Sequence, residues 1–215
     1  MDSETVISRL VFKQLKIDDS SNQSCFDCNG PHTQYASVPN GTFICGSCAD
    51  LHKKLLKHPK LSYIKSISME PWSEEQMIIM ALGGNNKMQQ HLAKFEILNI
   101  DDTLEARIVR RLQSRAAEFY RVQLRAKVEG VSFESAVDPP SMQYAQELIP
   151  EHELKQINER DLPMELRSTY DELAYPGVND ISFAMQNASE YITSAANYAY
   201  ETTNVYGVND KILDA

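Results

Sequence analysis

The chain is short of long apolar runs. Nothing in its 215 residues approaches the ~20 consecutive apolar residues of a membrane-spanning helix, so no transmembrane segment is expected. It also lacks a Gly-rich phosphate loop, a convincing carboxylate pair and a visible Ser-His-Asp set, which leaves no basis for enzyme chemistry of its own. The N-terminus, Met1-Asp-Ser-Glu-Thr5, has neither the basic-then-apolar start of a secretory signal nor the Arg-rich look of a transit peptide. The expected location is therefore cytoplasmic or an intracellular peripheral membrane, with import into an organelle left open. Basic charge is scarce as well: 21 Lys and Arg face 30 Asp and Glu, a net charge of −9. The imbalance is local. Residues 1–135 carry 17 basic and 16 acidic side chains, whereas residues 136–215 carry 4 and 14. A grip on nucleic acid needs a basic footprint, and no nucleic-acid partner is expected.

Cysteine is also rare, and its placement is informative. The only four are Cys25, Cys28, Cys45 and Cys48, two C-x2-C pairs separated by 16 residues. Each pair turns two thiolates to one side of an ion, and two pairs complete a tetrahedron. Zinc accepts four sulfurs in closed structural sites, and this spacing reads as one. Two disulfides would need an oxidising compartment. One structural zinc is expected, with no open position for water.

Around the cysteines the pattern is mixed. Ile7, Leu10, Val11 and Leu15 form a helical stripe over residues 6–16. Tyr35–Val38 and Phe43–Cys45 flank Pro39-Asn-Gly and read as a hairpin. Ala49–Leu56 reads as a short helix and Leu61–Ser68 as a strand. Ser73 and Gln76 form a capping box opening another helix, which Gly83-Gly-Asn85 ends. A short helix follows to Phe95, then one longer helix over Leu104–Lys127 whose basic row reads as a solvated face. Prolines 139, 140, 150 and 163 mark a linker or wrapping segment. Over Asp180–Tyr206, Ile181, Met185, Ala188, Ile192, Ala195 and Ala199 recur at helical spacing.

Taken together, Cys25-Phe-Asp-Cys28, Tyr35-Ala-Ser-Val38, Gly41, Phe43-Ile-Cys45-Gly-Ser-Cys48, His52, His58, Leu61–Glu70 and Trp72 resemble the Arf GTPase-activating protein family. Met80–Asn86 and Ser114–Arg121 resemble its Golgi-type branch, and the likeness spans about residues 6–135. It implies an α+β fold: a small four-cysteine zinc-finger module wrapped by helices, here over residues 1–135. Residues 136–179 are expected to form an acidic, proline-containing linker or wrapping segment, and 180–215 an amphipathic helix and tail.

The resemblance further implies an Arf-type GTPase as partner, met by Tyr35, His52 and the residue after it. In the family that residue is an arginine finger; here it is Lys53. The hairpin Trp of the family is Tyr35, a following Gly is Leu56, and about two residues are inserted near Pro59-Lys60. His52, Tyr35 and Trp72 also have plain readings as packing groups, and Lys53, Lys54, Lys57, Lys60 and Lys65 form a basic cluster. Lysine keeps the charge of arginine but loses the planar fork. The expectation is a catalytically degenerate module that acts as a structural or binding subunit of a large protein assembly. An active GTPase activator in membrane traffic is the alternative. The C-terminal helix would pack on a partner or touch a membrane surface peripherally.

Overall fold

The computed structural model describes residues 3–98, 102–128 and 139–154. The helix expected over Asp180–Tyr206, with Ile181, Met185, Ala188, Ile192, Ala195 and Ala199, lies outside the described residues. In helix α1 (Ser3–Asp18), Val11, Phe12 and Leu15 fall on one face and are buried. Phe12 sits edge-on to Trp72 with ring centroids 4.5 Å apart, and 6.1 Å from Phe43. A 3-10 turn, Ser20–Gln23, leads from α1 into the first cysteine pair; Asp19 caps it by accepting from the Ser21 N–H at 2.9 Å.

Strands β1 (Tyr35–Ser37) and β2 (Thr42–Ile44) pair antiparallel, Tyr35 opposite Ile44 and Ser37 opposite Thr42. Pro39 starts the turn between them, and Gly41 closes it at φ 59°, a left-handed conformation that suits glycine. β3 (Ile64–Ser66) joins the other edge of β1, giving the order β2-β1-β3. It is shorter than the expected Leu61–Ser68. The Leu61 and Ser62 amides turn back to the His58 carbonyl, and the Ser66 N–H donates to the Glu70 carboxylate at 2.7 Å.

Helix α2 (Gly46–Leu55) begins directly after Cys45, three residues before the expected Ala49. Helix α3 (Glu74–Leu82) carries the expected capping box, and Gly83 ends it. Helix α4 (Asn85–Ala93) starts after Gly84. Gly41 and Gly83 meet backbone to backbone: a Cβ on Gly83 would lie 2.8 Å from the Gly41 Cα. That approach lets the Gly84 N–H bond the Gly41 carbonyl at 2.8 Å. Asn85, fully buried, then locks hairpin to helix. Its side chain accepts from Phe43 N at 2.8 Å and donates to the carbonyls of Ser24, Ser21 and Phe43.

The single helix expected over Leu104–Lys127 is two, α5 (Leu104–Leu112) and α6 (Arg115–Val128). Apolar spacing runs through the break, but hydrogen bonding does not. The Ser114 hydroxyl donates to the Arg111 carbonyl and accepts from the Ala117 N–H, capping α6. The returning chain fills the gap. Arg115 N donates to Glu147 O and Ile149 N to Gln113 O, forming a bridge between Ser114 and Leu148. That segment also holds two short helices, α7 (Met142–Gln146) and α8 (Glu151–Leu154), and buries Ala145, Ile149 and Leu154.

The basic row on α5 and α6 is not a solvated face throughout. Arg121 is buried and donates to Asn40 Oδ1 at 3.1 Å and Leu112 O at 2.9 Å. Arg111 bonds the Leu98 carbonyl at 2.8 Å. Two large apolar clusters result among the described residues, beside a small one that pairs Ile78 of α3 with Val128 of α6. One joins α4, α5 and α6 to the inner side of the cysteine pairs; the other packs α1, Phe43 and Trp72 against α3.

Candidate metal centre and the face beside it

The first cysteine pair lies in a tight loop. Cys25 N donates to Gly30 O at 2.7 Å, Asn29 N to Cys25 O at 2.8 Å, and Asn29 takes a left-handed φ of 58°. The second pair occupies the cap and first turn of α2, with Cys45 as N-cap and Cys48 buried. The four Sγ atoms all lie within 4.8 Å of one another. A tetrahedral zinc with Zn–S bonds of ~2.3 Å has sulfur–sulfur edges of about 3.8 Å. The Cys28 and Cys45 sulfurs are 3.7 Å apart, a tetrahedral edge and far beyond a disulfide bond of ~2.05 Å. The Gly30 N–H points to Cys28 Sγ at 3.4 Å, an outer hydrogen bond of the kind that supports a thiolate ligand.

The thiols also perturb one another. A hydrogen bond from Cys48 holds the Cys25 thiol down to about 5, and the same bond, with burial, pushes Cys48 up. Burial also raises Cys28. Four sulfurs this close cannot all ionise unless a divalent ion takes the charge. Cys25, Cys28, Cys45 and Cys48 thus fit one structural zinc. Bound there, zinc ties the loop before the hairpin to the start of α2 and leaves no open coordination position.

His52 lies on α2 one turn past Cys48. It is fully buried, with Nε2 2.8 Å from Asp27 Oδ2 and Nδ1 2.7 Å from Ser62 Oγ. Ser62 Oγ in turn meets Ser37 Oγ at 3.0 Å, and the Asn40 amide donates to Ser37 Oγ at 2.8 Å. Aspartate, histidine and serine are thus linked, although no such set is visible in the sequence. Their separations of 25 and 10 residues hide it. The chain does not resemble a hydrolase site, because Asp27 and His52 have no exposed side-chain surface and cannot meet a substrate. It instead joins the first cysteine loop, α2 and the turn before β3.

The next side chain, Lys53, is exposed, and its Nζ lies 5.8 Å from the centroid of the half-buried Tyr35 ring, within cation–π range. Lys54 and Lys57 are exposed too, in and just after α2. Lys65 does not belong to that basic cluster: it is buried, donates to Gln76 Oε1 at 2.8 Å and lies over Trp72. Trp72 is a core aromatic whose Nε1 donates to the Ser66 carbonyl. Leu56 is buried in the cluster on the zinc side.

Residues 9–128 match the profile of the ArfGap family, described as "Putative GTPase activating protein for Arf". The chain belongs to the ArfGap family. Among curated relatives it is 32% identical over 114 residues to the ADP-ribosylation factor GTPase-activating protein GCS1 of Saccharomyces cerevisiae, covering 53% of this chain and 30% of that protein. It is 30% identical over 116 residues to ADP-ribosylation factor GTPase-activating protein 3 of Mus musculus, covering 54% and 20%. The chain therefore matches less than a third of the length of either relative. The fold is similar to the crystal structure of a "putative GTPase activating protein for ADP ribosylation factor from Cryptosporidium parvum", with a TM-score of 0.51 and 19% identity over 60% of this chain and 99% of that one. In this ArfGap chain the α+β zinc-finger fold is present, and among the described residues no helix is long and apolar enough to cross a membrane.

Proposed function

We propose that the protein is a catalytically degenerate ArfGap module that binds partners rather than accelerating GTP hydrolysis. The observation that carries this reading is the lysine at position 53, the exposed position after the buried His52, where the family presents its finger. A finger arginine stabilises charge on the transferring phosphoryl group and is worth about 10³–10⁵ in rate. Its planar fork makes two parallel hydrogen bonds; an ammonium is a single point donor. Lys53 instead rests against Tyr35, the ring at the hairpin position where the family carries Trp.

The surroundings support binding. Cys45 and Cys48 fix the start of α2, Asp27 and Ser62 fix His52, and so Lys53 and Tyr35 share one supported face. An Arf-type GTPase is the partner proposed for that face, reached at a membrane surface from the cytoplasmic side or within a larger protein assembly. Retained activation is the second reading; the exposed charge at position 53 favours it. GTP hydrolysis by a GTP-loaded Arf-type GTPase separates the two. The degenerate reading expects wild type and Lys53→Ala to give equal rates near the intrinsic one. A wild-type rate well above that of Lys53→Ala would establish that the lysine serves as a finger.

A further inference from the structure

Between α4 and α6 lies a groove of about 170 Å³ that shares no residue with the cysteine cluster or with the Lys53 face. Helical spacing builds it. On α4 and its C-cap, Lys87 and His91 are four residues apart, and so are Gln90 and Lys94; on α6, Tyr120, Leu124 and Lys127 follow one another down a single face. Lys87, Lys94 and Lys127 line it, and among the described residues no lining side chain is acidic. Their fields overlap. Burial, then the charge of Lys127, lowers the Lys87 pKa, with Asp19 offsetting part of it. Burial first, then Lys94 and Lys127, lowers that of His91, whose Nε2 donates to the Ala116 carbonyl at 2.9 Å.

A second observation is independent of the lysines. Tyr120 is only 8% exposed, and its hydroxyl is buried with no hydrogen-bond partner among the described residues. Burial raises its pKa, so it stays a protonated donor. Buried polar groups are almost always bonded, and an exception calls for an explanation. The groove is smaller than the ~300–1,000 Å³ of pockets for drug-sized ligands, which suits one small anionic group.

We propose that this groove binds a phosphomonoester, with Lys87, Lys94 and Lys127 neutralising the dianion and Tyr120 donating to a phosphate oxygen. The ester is either a soluble phosphate or the head group of a lipid, and matched probes separate the two. Binding of the full chain is measured by calorimetry with glycerol 3-phosphate, and by co-sedimentation with phosphatidylcholine vesicles carrying phosphatidic acid. Vesicles carrying phosphatidylserine serve as the charge control.

Saturable binding of glycerol 3-phosphate identifies a soluble ester; binding only to phosphatidic acid vesicles identifies a lipid head group. Either supports the site if Lys94→Gln/Lys127→Gln weakens it at least about tenfold and Tyr120→Phe about three- to tenfold. Lys13→Gln, an exposed charge on α1, should leave it unchanged. Tyr120→Phe removes one oxygen and keeps the packing, so its effect survives any folding defect in the double variant. No saturable binding to either probe, equal binding to phosphatidylserine, or a loss in Lys13→Gln as large as in the double variant would overturn the site.

Discussion

The hairpin with its cysteine loops and the pair α5–α6 solve the same problem with different materials. Around the cysteines the strands are three residues long, and the buried groups include Asp27, Ser37, Asn40, Thr42 and His52. Around α5 and α6 the buried groups are mostly apolar, among them Ile108, Leu112, Ala116, Ala117, Leu124 and Val128, with Ser114, Tyr120 and Arg121 as the polar exceptions. Apolar burial stabilises by about 25 cal/mol per Å², and small strands supply little of it. The metal side depends on four thiolates and a polar network, while the helical side holds by packing. The surface beside the cysteines can therefore be polar and bear function, because zinc and His52 hold it from beneath.

The largest test of that contrast is to remove a ligand. Zinc in structural sites contributes about 10–16 kcal/mol in apparent terms, comparable to or above a domain's whole stability of ~5–15 kcal/mol. Cys48→Ala should lower bound zinc from one per chain to none. Amide exchange should lose protection over residues 25–66 well before residues 104–128. Simultaneous loss in both regions would make them one cooperative unit and remove the distinction.

Next come matched deletions on the two sides. His52→Ala leaves Asp27 buried without its partner and should cost about 3–5 kcal/mol in chemical denaturation. Leu112→Ala should cost about 2–5 kcal/mol by cavity formation. The comparison sharpens when zinc affinity is measured: it should fall in His52→Ala and hold in Leu112→Ala. Where the hairpin turn meets the end of α3, Gly83→Ala forces a methyl against the Gly41 backbone and should cost about 1–3 kcal/mol, read as a lowered denaturation midpoint.

The smallest effect concerns the returning segment. Arg115 donates to both Glu153 oxygens, at 2.6 and 2.7 Å, and this hydrogen bonding holds the Glu153 carboxyl below its usual 4.5. A depressed carboxylate stabilises above its unfolded pKa and loses that contribution as pH falls through the folded one. Because the Glu153 side chain keeps 40% of its surface in solvent, the effect is slight and weakened by salt. Glu153→Gln should flatten a shallow loss of amide protection in residues 139–154 below pH 4.5, with no change at the cysteine loops.

Much of the scaffold is legible in the sequence because its signals are local. Cys-x-x-Cys spacing, Pro39-Asn-Gly41 and the Ser73–Gln76 box each act over a few residues. What escapes depends on distant chain segments. Apolar periodicity runs straight through Gln113-Ser114, where the Ser114 cap and the bridge to the returning Leu148 break the helix. Lys65 and Arg121 look like surface charges until Gln76 and Asn40 supply their partners. Asn85 gives no local sign of joining β2 to the loop before it. At the site, the four cysteines are readable from spacing, whereas the Asp27–His52–Ser62 chain exists only once the hairpin and α2 are in place.

A sound scaffold presents Lys53 where the family's finger stands. Single-turnover GTP hydrolysis by an Arf-type GTPase with the Lys53→Arg variant tests it most directly. If the support beneath position 53 is intact, Lys53→Arg should raise the rate roughly ten- to a thousandfold over the wild-type chain, a part of the ~10³–10⁵ of a full finger. A wild-type chain already as fast as Lys53→Arg, each accelerating hydrolysis about 10³-fold or more over the intrinsic rate, would contradict the account.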